Sequence, residues 1–316
     1  MRSAIAAVFF ALTSCTLDAQ AQTPPPAPAA SAATPTPVEV KADGLVGLYY
    51  APPPGVRRPA MLVLGGSEGG LYGAHYLGAP LARQGYAVLG LAYFGAPGLP
   101  ANLQDIPLEY FTKALAWLKA QPGVDPDRIG VYGISKGGEL ALLLASRHPE
   151  IKAVIAGVPS SVVWQGINMT DFTPRSSFDE HGRPVPFLPY DTSRGFTSVL
   201  DLYQRSLAHA GEHPDALIPV EQINGAVLLI SGGQDLIWPS NAMSDQVMAR
   251  LDAKGFRYPH QHLNYPEAGH GAGAPPSDHP DGDPLNQLGG TAEANAQARG
   301  DMWVKATAFL KAALKP

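Results

Sequence analysis

The chain has 316 residues, enough for one or two domains with a large buried core, and its 45% hydrophobic content is that of an ordinary globular protein. Acidic residues outnumber basic ones by 27 to 22 with no long Lys/Arg run, which excludes the basic footprint of a nucleic-acid binder. Cys15 is the only cysteine, so the folded part has no disulfide, Cys-based zinc site or cysteine nucleophile to draw on.

The N-terminus reads as an export signal. Arg2 supplies a positive head, and Ala4 to Leu12 is an apolar run too short to span a bilayer permanently. Two cleavage patterns follow. Ala19-Gln20-Ala21 fits ordinary signal peptidase, giving a signal over residues 1–21. Leu12-Thr13-Ser14-Cys15 is similar to a bacterial lipobox, which would make Cys15 a lipid anchor and the only membrane contact. Either pattern predicts export, to the periplasm of a bacterium. Residues 22–37 are Pro/Ala-rich without apolar periodicity and read as an extended linker.

From Val38 strand and helix patterns alternate. Val38 to Tyr50 reads as one or two short strands, stopped by Pro52-Pro53-Pro54, and Ala60 to Leu64 as a buried strand ending in a glycine cluster. A helix over His75 to Arg83 and a strand over Ala87 to Ala92 follow, then a helix over Pro107 to Ala120, opened by its proline. Further on come a strand (Arg128 to Gly133), a helix (Lys136 to Ser146) and a strand (Ala153 to Gly157). Two more strands, Ala226 to Ser231 and Gln261 to Tyr265, precede a closing helix near Ala292 to Ala313. Such alternation predicts an α/β fold: a mostly parallel, doubly wound sheet, covered on both faces, over residues 38–316. Residues 160–217, rich in Pro, Gly, Ser and aromatics, interrupt the rhythm and read as an inserted lid.

Gly133-Ile134-Ser135-Lys136-Gly137 carries the chemistry. It follows a strand and opens a helix, the setting of a G-x-S-x-G nucleophile elbow, where tight dihedrals demand neighbours with almost no side chain. A serine hydroxyl needs a base within hydrogen-bond reach, and in this arrangement an acid and then a histidine follow the serine along the chain. Asp235, directly behind the strand Ala226 to Ser231, is the candidate acid ahead of Asp201 and Asp215, which fall in the lid. His270, flanked by Gly269 and Gly271 and just past a predicted strand, is the candidate base ahead of His279, His260, His262 and His148.

Two oxyanion donors are expected. One is the backbone N–H of Lys136. The other comes from Gly65-Gly66-Ser67-Glu68-Gly69-Gly70, with the Ser67 N–H favoured and Glu68 second. That glycine loop lacks the spacing of a nucleotide cradle. The Lys136 side chain reads either as a solvated helix residue or as a cation facing an anionic substrate. His260-x-His262 has no third ligand at metal-site spacing, so neither a metal nor a cofactor is expected. Trp164, Phe187 and Tyr190 are candidates for an acyl-binding wall, and equally for core anchors of the lid.

The chain resembles the C-terminal catalytic domain shared by acyl-CoA thioesterases and bile-acid-CoA:amino-acid N-acyltransferases. Leu64 to Gly70, Ile106 to Phe111, the elbow GISKGGELAL at 133–142, Pro159 to Gly166, PVPFLPY at 184–190, and SGGQD with AGH carry the likeness. The resemblance implies an α/β-hydrolase fold and a Ser/Asp/His triad acting on thioesters, carried onto Ser135, Asp235 and His270. Serine, where the acyltransferases use cysteine, favours hydrolysis over transfer. Dienelactone hydrolases look similar in the glycine loop but use cysteine. Two features depart from the family: a linker stands where members carry a β-sandwich, and export separates the chain from cytosolic CoA thioesters. The sequence therefore leaves open an exported carboxylesterase or lactonase, a peptidase on the same fold, and a non-catalytic binding protein on a hydrolase scaffold.

Overall fold

A computed structural model describes residues 35–168, 170–171 and 173–315. The expected signal, Cys15 and most of the Pro/Ala linker lie outside the described residues. Eight strands form one sheet: β1 (Val38–Val40), β2 (Val46–Tyr50), β3 (Arg58–Leu64), β4 (Ala87–Ala92), β5 (Val124–Ile134), β6 (Ile151–Gly157), β7 (Ala226–Gly232) and β8 (His260–Tyr265). Their order across the sheet is β1-β2-β4-β3-β5-β6-β7-β8. Strand β2 runs antiparallel to both of its neighbours, and from β4 to β8 every pairing is parallel.

Parallel strands covered on both faces must be apolar throughout, and β4 and β7 are buried at every position. Their side chains divide between the faces with a period of two. Leu62, Leu64, Val227 and Leu229 join one core, and Met61, Val63, Leu228 and Ile230 the other. Helices α2 (Glu109–Lys119), α3 (Lys136–Arg147) and α5 (Ser240–Ala253) cover the first face. Helices α1 (Tyr72–Arg83) and α6 (Ala292–Ala313) cover the second. Helix α4 (Val199–Leu207) belongs to the inserted segment.

Most predicted elements are present with shifted ends. Helix α2 starts at Glu109 because Ile106–Pro107 pairs instead with Phe178–Glu180 in a small separate sheet. Helix α5 has no counterpart among the predicted elements. Its apolar stripe is thin (Met243, Val247 and Leu251, with Ser240 and Ser244 sharing the buried face), so its periodicity is weak in sequence.

Residues 160–217 lie between β6 and β7 and have a core of their own. Val162, Trp164, Leu188, Tyr203 and Ala216 pack together with Trp238 and Met243 from the main fold. The segment is fastened to α3 by buried polar contacts. Lys136 Nζ donates to both Glu139 oxygens at 2.7 and 2.8 Å and to Ser177 Oγ at 2.8 Å. Ser177 Oγ donates to the Trp164 carbonyl at 2.9 Å, and Glu139 Oε1 accepts the Trp164 N–H at 3.2 Å. Lys136 is 1% exposed and Glu139 0%, so both expectations for the Lys136 side chain, solvated or facing a substrate, are corrected. The cause is its partners: a buried ammonium is tolerable only where it is paired and fully hydrogen-bonded.

Glycine sets the distance between the elbow helix and the sheet. A Cβ on Gly137 would stand 2.2 Å from the Leu64 carbonyl and 2.3 Å from that of Gly65. Gly137→Ala is therefore expected to cost more than about 2 kcal/mol in urea-denaturation midpoints, because rigid backbone must move. Gly300→Ala, in α6 with nothing within 4 Å of its Cβ position, should instead stabilise by up to about 1 kcal/mol. Glu139→Ala strands Lys136 as an uncompensated buried charge. It should cost about 3–5 kcal/mol in the same assay, with Lys136→Met/Glu139→Leu recovering much of the loss.

Candidate active site

The chain leaves β5 and enters α3 within one residue. Ser135 occupies that position at φ +58°, ψ −124°, and makes no capping bond to the helix it precedes. A positive φ is costly for a residue with a Cβ, and strain of this kind persists only where the surroundings hold it in place. Ser135 N donates to the Gly157 carbonyl at 2.8 Å, and glycines at 133 and 137 let the turn close. The serine hydroxyl is left half-exposed at the carboxyl ends of the strands.

Asp235 and His270 reach the same place from the loops after β7 and β8. Ser135 Oγ lies 2.9 Å from His270 Nε2, and His270 Nδ1 lies 3.0 and 2.9 Å from the two Asp235 oxygens. The carboxylate accepts, so Nδ1 carries the proton and Nε2 is free to accept from the serine. Both residues are buried, and Trp238 stands edge-on to the imidazole with ring centroids 6.0 Å apart. The structure thus brings together the three residues singled out in the sequence, from positions 100 and 35 residues apart. Of the rival acids, Asp201 is engaged instead at the start of α4, where its carboxylate accepts the Thr197 N–H.

Asp235 is held by more than the histidine. Oδ1 accepts the Ile237 and Trp238 N–H groups at 2.9 and 3.2 Å, and Oδ2 accepts the Ser240 hydroxyl at 2.6 Å. Trp238 Nε1 in turn donates to the Val158 carbonyl at 3.0 Å. Val158 itself sits at φ +41°, an outlier for a β-branched residue, and its N–H donates to the Ile230 carbonyl. The sequence reading missed Ser240, Trp238 and Val158. Its one available signal was the run Asp235-Leu236-Ile237-Trp238-Pro239-Ser240, an acceptor followed by donors within a tight loop.

His270 rests on glycine contacts. Gly269 packs its Cα against Gly289, and Asn295 ties the two loops by accepting the Gly269 N–H at 2.8 Å while donating to the Gly289 carbonyl at 3.0 Å.

Across the serine lies the loop after β3. The Tyr93 hydroxyl, fully buried, donates to the Gly65 carbonyl at 2.7 Å and shares itself with that of Gly66 at 3.3 Å, fixing the loop from below. Burial holds the Tyr93 phenol well above its ordinary range, aided by the nearby Glu68 and Glu139 carboxylates, so it remains a donor. Ser67 is exposed on this loop, and the Lys136 N–H belongs to the first turn of α3, where helical donors have no partner in the helix. Glu68 turns back on its own loop, with Oε1 accepting the Gly66 N–H at 3.0 Å.

The expected wall residues separate. Trp164 is fully buried in the core of the inserted segment between Tyr190 and Tyr203, which makes it an anchor of that segment. Tyr190 Oη donates to the Gln165 carbonyl at 3.0 Å and meets Tyr203 Oη at 3.1 Å. Phe187 is half-buried and lines a groove of about 590 Å³ with prolines 174, 184, 186, 189 and 214. Among the described residues no cluster of three or more His, Cys, Asp or Glu side chains could hold a metal ion. No helix among them is long and apolar enough to cross a membrane.

The arrangement has known relatives. Residues 106–316 match the family described as BAAT / acyl-CoA thioester hydrolase C terminal, and residues 19–180 match X-Pro dipeptidyl-peptidase (S15 family). Acyl-coenzyme A thioesterase 1 of Mus musculus is 35% identical over 226 residues, 71% of this chain and 50% of that protein. Mitochondrial acyl-coenzyme A thioesterase 2 of Homo sapiens is 31% identical over 239 residues, 73% of this chain and 46% of that protein. The chain thus spans about half the length of these curated relatives.

Among solved structures, a putative dienelactone hydrolase from Klebsiella pneumoniae superposes with a TM-score of 0.52 at 18% identity, covering 87% of this chain and 96% of that one. The acylaminoacyl peptidase of Pyrococcus horikoshii gives a TM-score of 0.58 at 18% identity, over 89% of this chain and 42% of that one. At such identity the likeness establishes the fold, that of the α/β-hydrolases. With the family match covering two-thirds of its length, this chain belongs to the BAAT / acyl-CoA thioester hydrolase C-terminal family.

Proposed function

We propose that this protein is a serine hydrolase that cleaves acyl thioesters or esters through an acyl-enzyme on Ser135. The observation that carries this reading is the continuous hydrogen-bonded chain from Ser135 Oγ through His270 to Asp235 at a strained strand-to-helix turn. The curated relatives named as acyl-coenzyme A thioesterases support the thioester as the bond attacked.

In this mechanism His270 Nε2 takes the Ser135 proton as Oγ bonds to the acyl carbon. The Lys136 and Ser67 N–H groups receive the oxyanion, with the positive end of α3 beside it. The intermediate collapses by breaking the bond to the leaving group, which departs with the proton from His270. Water then loses a proton to His270, attacks the acyl carbon and releases the acid, returning that proton to Ser135. Asp235, fixed by its other three donors, holds the imidazole in the tautomer this cycle needs.

The N-terminal signal pattern supports a second substrate reading, an exported esterase acting on oxygen esters in the periplasm, anchored through Cys15 if the lipobox is used. A medium-chain acyl-CoA and its matching aryl ester, compared as substrates, separate the two. Preference for the CoA thioester supports the first, and preference for the aryl ester the second.

Ser135→Ala should abolish labelling by a fluorophosphonate and lower kcat by at least about 10⁴-fold with the fold intact by circular dichroism. An unlabelled but folded wild type would instead mean a binding protein on a hydrolase scaffold. Asp235→Asn should lower kcat by about 10⁴-fold with little change in KM. Ser240→Ala removes one of four donors to Asp235, and steady-state kinetics should show only about a three- to tenfold fall in kcat.

A further inference from the structure

Glu68 is a carboxylate at the nucleophile that the proposed mechanism does not use. Its place is built by glycines. A Cβ on Gly65 would stand 2.4 Å from Glu68 Oε1, and one on Gly73 2.6 Å from the same atom. A Cβ on Gly66 would stand 2.9 Å from Oε2 and 3.1 Å from Ser135 Cβ. Glu68 Oε2 and Ser135 Cβ are therefore separated by no more than those two distances combined. Any larger residue at 65, 66 or 73 would push the carboxylate out of this position.

Only one of its oxygens is engaged, Oε1 by the Gly66 N–H. Among the described residues no Lys, Arg or His forms an ion pair with it, and His270 is the titratable side chain that lowers its pKa through space. Asp235, with its four donors, already fills the orienting role, so Glu68 is not a spare member of the triad. The residue is open to solvent at its surface. Enough protein surrounds the carboxyl that lost hydration nevertheless raises its pKa, while its own backbone N–H, the Gly66 N–H and His270 pull it back. An accessible carboxylate that has lost part of its hydration is where a ligand's charge counts for more than at an open surface.

We propose that Glu68 is a specificity-determining residue whose free oxygen receives an ammonium or other N–H group one or two bonds from the scissile carbonyl. The preferred acyl groups would then be of the aminoacyl type, and those with a carboxylate at that place would be disfavoured. This rests on the acyl-hydrolase reading above. The physical reason is local. An acyl carbonyl attacked by Ser135 Oγ holds its α-substituents within a few bonds of the serine, and the Glu68 carboxylate, brought close to Ser135 across Gly66, is on the adjoining loop.

The test uses two isosteric aryl esters, alanyl and isobutyryl, which differ by an ammonium in place of a methyl group. Rates are taken at about pH 6.5, below the ordinary α-amino range, and corrected for spontaneous hydrolysis. The ratio of kcat/KM, alanyl over isobutyryl, should fall at least about tenfold in Glu68→Gln, which keeps the shape and removes the charge. On the wild type, alaninamide should inhibit isobutyryl hydrolysis at least about tenfold better than isobutyramide. Added salt should shrink that difference. An unaltered ratio in Glu68→Gln, or equal inhibition by the two amides, overturns the inference. An equal loss on both esters also overturns it, because the residue would then only shape the loop. Absence of Ser135-dependent turnover of the isobutyryl ester by the wild type overturns the acyl-hydrolase reading itself, and this inference with it.

Discussion

Ser135 must hold a positive φ while its hydroxyl points away from the helix it begins, and the surrounding architecture meets that constraint. Strand β5 and helix α3 come too close at this turn for side chains at 133 or 137. The same closeness brings the carbonyls of Leu64 and Gly65 onto α3, so the loop carrying Ser67 and Glu68 is positioned by the packing that positions the serine. The serine turn and the loop after β3 are thus one packing problem, with Tyr93 holding the loop's far side.

The Asp235 and His270 arms answer to a different requirement. Loops at the carboxyl ends of β7 and β8 would be free to drift if only the Asp235–His270 contact joined them. Asp235 is instead pinned by Ile237, Trp238 and Ser240, and the His270 loop by Asn295 and the Gly269–Gly289 contact. Each arm is thus held by contacts of its own. That is the condition for a base to stand at hydrogen-bond distance from a serine without a large entropic cost. Val158, strained like Ser135, receives the Trp238 indole and so links the acid loop to the end of β6.

The inserted segment is joined to this frame by charge as well as by apolar packing. Lys136 follows the nucleophile in sequence, and its ammonium turns inward to Glu139 and Ser177. The residue that follows Ser135 thereby fastens the inserted segment to the elbow helix. Aromatic packing continues the connection from Trp164 through Tyr203 and Trp238 to His270.

Local pattern was enough to find the sheet strands, four of the six helices and the three residues of the candidate site. Apolar runs with glycine punctuation, a serine between glycines at a strand-to-helix boundary, and an acid and a histidine behind later strands are all properties of short stretches of chain. Helix α5 escaped because two serines share its buried face, and sequence does not show that a small polar residue faces inward. Lys136 and Trp164 were ambiguous for a deeper reason. The burial of each depends on segments 41 and 25 residues away in the chain, and those segments meet only when residues 160–217 fold over α3. Ser240 and Glu68 belong to the same class. The sequence by itself determined which groups could react and in what order they occur. Tertiary structure decided which other groups surround them, because a carboxylate's or an ammonium's role is set by its distance to partners that the chain brings together from far apart.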